Sequence, residues 1–262
     1  MASALDPAWL LHRRPYRDGG FLVDFLTLSS GRIGAVARGT RRKQRGGSTV
    51  GLLQPFSPLL IEMSGKGELK TLRRVEPAGA RLHLEGRRVF SGLYINELLS
   101  KLLPRFEPTP ELFSAYGDLV AQFQHYEALD ALRRFEFLLL ETLGYGIAFS
   151  EDAYGEAIDA AQGYRFDPLQ GFLVKHFDDR GEKHNEAVDT FSGTTLLAFQ
   201  AWKEGAVLSV EHARLLRQIG RQAISHQLAG RSLQSRELMR QFLSGQINPP
   251  DQPDGPPAMS EA

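Results

Sequence analysis

Residues 21–39, FLVDFLTLSSGRIGAVARG, contain two short apolar runs separated by a turn at Ser30 and Gly31. Both runs contain β-branched side chains, and the first also contains two phenylalanines, residue types that favour strands. Outward from this pair, WLLHRR at 9–14 predicts an earlier strand, and residues 58–75 predict a hairpin with a glycine turn. Five short strands without a helix-length period favour a small barrel, because closure removes exposed strand edges.

From about residue 86 the apolar period changes from that of strands to that of helices. Residues 128–144, ALDALRRFEFLLLETLG, repeat apolar side chains every three or four positions, and Gly144 is placed to end the helix. The predicted apolar stripe consists of Leu129, Leu132, Phe135, Leu139 and Leu143. The same period predicts further helices at 88–103, at 111–124 and at 210–227, where Ser209 can cap the first turn.

Two segments depart from the helical pattern. Residues 164–177, YRFDPLQGFLVKHF, alternate aromatic and polar side chains and predict a small β excursion. Residues 246–262 are rich in proline and charge and predict a disordered tail. The predicted fold class is therefore α+β, with an N-terminal OB-type β-barrel at 1–80 and a mainly helical domain at 81–245.

The composition is that of an ordinary globular protein of 262 residues, 42% of them hydrophobic and 24% charged. Because the chain contains no cysteine, it has no disulfide, thiolate nucleophile or cysteine-bound zinc. No apolar run approaches the ~20 residues that cross a bilayer, and the N-terminus has no signal-peptide pattern. These features predict a cytoplasmic protein with no membrane partner.

The sequence offers little for catalysis. It lacks the phosphate-binding loop, the dinucleotide turn, the nucleophile elbow and the zinc-binding H-E-x-x-H helix. Imidazoles and carboxylates gather at 175–184, KHFDDRGEKH, in a pattern that equally suits an exposed turn. The candidate metal ligands there are His176, Asp178, Asp179 and His184. We expect a non-enzymatic protein with no catalytic residue, metal or cofactor, and a hydrolase that uses this turn is one alternative.

Positive charge is concentrated in the first part of a formally neutral chain. Residues 1–80 contain 13 Lys and Arg against 6 Asp and Glu, and residues 81–262 contain 18 against 25. The densest cluster is TRRKQR at 40–45. Such a loop can neutralise DNA phosphates and release counterions, or it can be a solvated charge run.

Aromatic side chains lie among the other basic residues of this region. Tyr16, Phe21 and Phe56 offer rings on which bases can stack, and Tyr16 is flanked by Arg14 and Arg17. The alternation of apolar residues at 21–28 also predicts that Phe21 lies in the barrel core. Basic residues combined with aromatic rings indicate a nucleic-acid-binding barrel.

Six segments of the chain, taken in order, resemble the RecO family of bacterial recombination mediators. The resemblance extends from about residue 8 to residue 244. The segments are LLHRRPYRDGGFLVDFLTLSSGRIGAVARGTRRKQR, GLLQPFSPLL, SGKGELKTL, LYINELLSKLLP, LRRFEFLLLETLGYG and SRELMRQF.

The resemblance implies a mediator of the RecF repair pathway that binds single- and double-stranded DNA through an N-terminal OB fold. It also implies annealing of complementary strands, including strands coated by single-stranded-DNA-binding protein, and loading of RecA together with RecR. The positions that match the family's basic DNA-binding segments are Arg14, Arg17, Arg38, Arg41, Arg42, Lys43, Arg45, Lys66 and Lys70.

The family also binds the acidic tail of single-stranded-DNA-binding protein in its helical domain. Arg133 and Arg134 match such a site, because it needs an apolar pocket with a cationic rim. The same arginines also have the spacing of helix-surface ion pairs with Glu136 and Asp130.

Many family members carry a four-cysteine zinc site after the LGYG element, here at 143–146. This chain has no cysteine, so the family's zinc is not implied and we expect packing to hold that region. The alternative function is an OB-type adaptor that binds RNA or protein and does not anneal DNA.

Overall fold

The structure is a computed structural model that describes residues 5–17, 19–38, 49–175 and 190–245. Its N-terminal elements are β1 (Asp6–Tyr16), β2 (Gly20–Thr27), β3 (Gly31–Ala37), α1 (Thr49–Leu52), β4 (Pro58–Ser64) and β5 (Leu69–Pro77). The elements that follow are α2 (Arg87–Leu102), α3 (Pro110–Phe123), α4 (Leu129–Thr142), β6 (Gly163–Asp167), β7 (Gly171–Val174), β8 (Thr190–Ser192), α5 (Gly193–Lys203), α6 (Val210–Leu228) and α7 (Gln234–Leu243). The predicted α+β class is confirmed.

The five N-terminal strands close into a barrel in the order β1-β2-β3-β5-β4, with β4 pairing back onto β1. Successive strands pair antiparallel, whereas β3 and β5 run parallel. A parallel pair needs a crossover connection, and α1 with β4 provides it. The predicted OB-type barrel is confirmed.

Alternate side chains of the strands fill the barrel. Phe25 is fully buried between Val23 and Ile33, and Phe21 packs partly buried against this core. The strand register shifts between Leu10 and His12 and again between Glu62 and Met63. Such bulges increase local twist and help five short strands to close.

The described residues form two compact units. The first consists of described residues up to 113 together with 120–127 and 232–245, and the second of 114–119 and 128–231. The first unit therefore contains α2 and the C-terminal helix α7 in addition to the barrel, and is larger than the predicted domain 1–80.

Helix α7 packs on α2 within the first unit. The rings of Phe90 and Phe242 lie 4.9 Å apart between centroids. The carboxylate of Glu97 on α2 accepts hydrogen bonds from the backbone N–H groups of Gln234 and Ser235, both at 2.9 Å. These are among the first N–H groups of α7, which have no partner inside their own helix. Glu97 thus caps a helix far away in sequence.

The predicted helix at 129–143 corresponds to α4 in the second unit. Gly144 has φ of 83°, its N–H donates to Glu141, and the N–H of Tyr145 donates to Leu140. This pair of bonds is a Schellman motif, so the predicted glycine stop is confirmed. Leu129 is 59% exposed, contrary to the predicted stripe, because it occupies the first position of the helix.

The predicted β excursion is confirmed as a sheet of order β7-β6-β8. Strand β8 and helix α5, which follows it directly, were not predicted. An aromatic cluster fills the core beside the sheet, where Phe149 lies 5.8 Å from Phe172 and 5.4 Å from Phe199 between ring centroids.

The helices predicted at 88–103, 111–124 and 210–227 match α2, α3 and α6. Ser209 caps α6 by accepting the N–H of His212 at 3.1 Å.

Candidate nucleic-acid interface

The turn between β1 and β2 presents two of the predicted DNA-binding residues. Arg14 and Arg17 are exposed, and Arg17 adopts φ of 39°. The Arg17 guanidinium lies 5.2 Å from the centroid of the Tyr16 ring. This turn therefore offers a cation stacked on a half-exposed aromatic ring.

Arg13, on the same strand, is used inside the fold. Its Nη1 donates to the carbonyl of Leu53 at 2.8 Å, and its guanidinium lies 5.6 Å from the Phe21 ring centroid. Arg81 lies close by. Burial lowers the pKa of the Arg81 guanidinium, and the charge of Arg13 lowers that pKa further. Two cations therefore repel each other near this end of the barrel.

The described DNA-binding candidates lie near the two ends of β3. Because Phe21 pairs with Ala37, Arg38 lies next to the β1–β2 turn, the turn that contains Arg17. The parallel register of Gly34 with Leu69 places the β4–β5 hairpin at the opposite end. The levels of Arg38 and of Leu69, beside Gly34, differ by four residues along β3, which at ~3.3 Å each is about 13 Å.

The β4–β5 hairpin holds the remaining described candidates. Lys66 is exposed, and Lys70 donates from Nζ to the carbonyl of Gly65 at 3.0 Å. Lys70 also lies 5.3 Å from the centroid of the Phe106 ring. The other four candidates, Arg41, Arg42, Lys43 and Arg45, lie outside the described residues.

The structure adds a basic and an aromatic side chain that the sequence did not indicate. After α2 the chain returns to β3, where the N–H of Phe106 donates to the carbonyl of Arg32 at 3.0 Å. The Arg105 guanidinium covers Gly34, where a Cβ atom would be 2.5 Å from Nη1. The only sequence signal is PRFEP at 104–108, an aromatic and a basic residue framed by prolines between two helices.

Two other arginines of the barrel form ion pairs with carboxylates of the barrel. Arg32 forms an ion pair with Asp24 at 2.9 Å, and Arg74 pairs with Glu76.

The predicted stacking role of Phe56 is wrong, because its ring is 1% exposed and lies against Gly92 of α2.

In the second unit, both predicted partner-binding arginines lie on α4 and make structural contacts. Arg133 pairs with Glu136, whose side chain is fully buried. Arg134 pairs with Asp130 at 2.8 Å and lies 4.6 Å from the Trp202 ring centroid. Both predicted ion pairs exist, but the first is buried, contrary to the expected surface pair.

The described residues contain no cluster of His, Cys, Asp or Glu able to hold a metal ion. The candidates His176, Asp178, Asp179 and His184 lie outside the described residues. The family's cysteine-bound zinc does not fit this chain, which has no cysteine. The aromatic cluster around Phe149 packs the region that follows 143–146.

Family models match nearly the whole chain. The model "Recombination protein O N terminal" matches residues 1–81, and "Recombination protein O C terminal" matches residues 83–237. The chain belongs to the RecO family. Proteins named "DNA repair protein RecO" are similar to it over most of their length. The one from Methylococcus capsulatus is 41% identical, covering 90% of this chain and 93% of that protein. The one from Alkalilimnicola ehrlichii is 43% identical, covering 91% of each.

The boundary between the two RecO models falls just after β5, where the barrel ends. Within the described residues, no helix is both long and apolar enough to cross a bilayer.

Proposed function

We propose that this RecO-family protein is a cytoplasmic, non-enzymatic mediator that binds single- and double-stranded DNA and anneals complementary strands. It helps RecR to load RecA on strands coated by single-stranded-DNA-binding protein. The observation that carries this proposal is the presence of basic side chains near both ends of β3. Arg14, Arg17 and Arg38 lie near one end, and Lys66 and Lys70 lie near the other.

Annealing requires two phosphate backbones to approach each other. Cations at two separated places on one barrel lower the repulsion between strands held at each place. Each neutralised phosphate releases counterions, which gives tight, sequence-independent and salt-sensitive binding. The loop with Arg41, Arg42, Lys43 and Arg45 adds four cations next to Arg38 in sequence.

The proposed partner contact in the helical region uses Arg133 and Arg134 to bind the acidic tail of single-stranded-DNA-binding protein. The Arg134 side chain is 39% exposed, so its outer N–H groups remain accessible to a carboxylate. Arg133 is mostly covered and is committed to Glu136. Arg134 is therefore the stronger candidate of the two.

The test is the rate at which two labelled complementary oligonucleotides anneal, either bare or coated with the cognate single-stranded-DNA-binding protein. One variant changes Arg41, Arg42, Lys43 and Arg45 to Glu, and a second changes Arg14, Arg17 and Arg38 to Glu. The matched control reverses three exposed arginines of α6, which are Arg214, Arg217 and Arg221.

We expect the intact protein and the α6 control to anneal coated strands, and the two barrel variants to lose this activity. Normal annealing by both barrel variants would move the DNA-binding surface elsewhere. If the intact protein gave no acceleration, the annealing function would be rejected in favour of an adaptor that binds RNA or protein.

A further inference from the structure

Phe106 combines an exposed aromatic ring with a fixed backbone. Phe106 is 39% exposed, although phenylalanine is usually buried. Its φ of 63° is in the left-handed region that residues with a Cβ atom avoid. The hydrogen bond from its N–H to Arg32 holds this conformation. The fold therefore presents the ring outward at a defined position.

The chain around Phe106 is locked onto the barrel. Arg32 Nη1 donates to the carbonyl of Leu103 at 2.9 Å, and Arg32 and Arg105 form a parallel bridge. On the other side, a Cβ atom at Gly31 would be 2.0 Å from the carbonyl oxygen of Glu107. Such close approach leaves little freedom for residues 103–107.

Two cations lie near the exposed ring. Lys70 lies over it, and the exposed Arg105 precedes it on the outer face of β3. The carboxylate of Asp24, on the neighbouring strand, is already paired with Arg32. The described cations at this end include Lys66, Lys70, Arg105 and Arg73, which donates from Nε to Ser64 Oγ, and the exposed carboxylates include Glu68 and Glu107.

We propose that Phe106 is a stacking platform for an unpaired base of single-stranded DNA, with Lys70 and Arg105 as contacts for the adjacent phosphates. This inference rests on the proposed DNA-binding function. It adds a way for the protein to distinguish single-stranded from double-stranded DNA. Every base has a π face, so stacking is tolerant of sequence. In a duplex both faces of a base are already stacked. Phe106 therefore favours single strands, whereas the lysines and arginines bind both forms.

The experiment compares the affinities of full-length variants for a labelled oligothymidylate and for a duplex of the same length. F106A removes the ring, F106L keeps an apolar side chain without a π face, and F106W keeps an aromatic face. The matched control is Y154A, which removes another exposed aromatic residue, one that is 79% exposed in the second unit. Thermal unfolding verifies that each variant is folded.

We expect F106A and F106L to bind the single strand about tenfold more weakly. Duplex affinity and the salt slope stay unchanged, and F106W and Y154A behave like the parent. Quenching of a 2-aminopurine base in the oligonucleotide occurs with the parent and F106W only.

Equal single-strand affinity of F106A and the parent would overturn the inference. Equal losses of affinity for the single strand and the duplex would also overturn it. Phe106 would then affect binding through the structure of the barrel and not by stacking on an unpaired base. If the parent binds neither form of DNA, the proposed function itself fails, and this result is distinct from both.

Discussion

Glu136 is a carboxylate with no exposed surface in the middle of α4. An ionised carboxylate away from water is costly unless a cation and hydrogen bonds accompany it, and Arg133 supplies the cation one helical turn earlier on the same face. Arg133 therefore contributes to the stability of the fold whatever partner it binds. A loss of partner binding in an Arg133 variant is informative only when the stability of that variant is known.

Replacement of Arg133 by Ala should destabilise the protein by about 3–5 kcal/mol, because it leaves a buried carboxylate without its cation. Arg134→Ala should cost about 1 kcal/mol, since its ion pair with Asp130 is largely exposed. Urea unfolding measures both. The double variant Arg133→Met with Glu136→Leu should recover most of the loss. Equal effects of the two single variants would contradict the proposed burial cost.

Gly31 allows the chain after α2 to reach β3, and its substitution should separate them. Gly31→Ala places a Cβ atom against the Glu107 carbonyl at a φ of 68°, so we expect a loss of about 1–3 kcal/mol in urea unfolding. The control is Gly34→Ala, where the three atoms nearest to the new Cβ all belong to the movable end of the Arg105 side chain. A larger loss for Gly34→Ala would show that residues 105–107 are not held as described.

At the scale of elements, the contact between α2 and α7 includes a titratable group, the carboxyl of Glu97. Burial acts to raise the pKa of the Glu97 carboxyl, but hydrogen bonds from Lys101, Ser235 and Gln234 outweigh it and hold the pKa below its ordinary value of 4.5. The ionised form is therefore favoured by folding. Negative charge at the beginning of α7 also interacts favourably with the helix dipole.

The stabilisation from Glu97 should be complete above pH 4.5 and should disappear as the pH falls through the lower folded-state pKa. We expect Glu97→Ala to lose about 1 kcal/mol at neutral pH and much less in acid. Hydrogen exchange of residues 234–243 measures the local effect, and urea unfolding at both pH values measures the global one. A loss independent of pH would exclude the carboxylate as its source.

Elements with a strong local signal could be predicted from the sequence. The strands around Ser30 and the helix that ends at Gly144 follow from period and turn chemistry, which involve neighbours in the chain. Strand β8 has only three residues and helix α5 follows it without a loop, so neither produces a separate period. The parallel pairing of β3 with β5 joins distant segments and has no local signature.

At the scale of the whole molecule, the charge asymmetry becomes two groups of basic side chains near the two ends of β3. Composition and motif matching indicated the cations at Arg38, Lys66 and Lys70. They could not indicate Phe106, because its exposure follows from a backbone hydrogen bond to β3. Nor could they show that Phe56 is covered by α2, since that contact depends on Gly92.

The salt dependence of single-strand binding should report how many of these cations contact phosphates. Each contact contributes about 0.7 to the slope of log affinity against log salt concentration. Lys66→Gln combined with Lys70→Gln should therefore reduce the slope by about 1.4. Arg214→Gln combined with Arg217→Gln is the control and should leave it unchanged. An unaltered slope in the lysine variant would place the hairpin outside the DNA path.

The hydrogen bonds from the beginning of α7 to Glu97 affect the order in which the chain can fold during its synthesis. Glu97 and Ser235 are 138 residues apart, so the ribosome adds that many residues after α2 before its capping partner exists. At ~5–20 residues per second this interval is about 7–28 s. During it the barrel can close, but Phe90 on α2 still lacks Phe242 as its neighbour. The unit that begins first in synthesis is thus finished last.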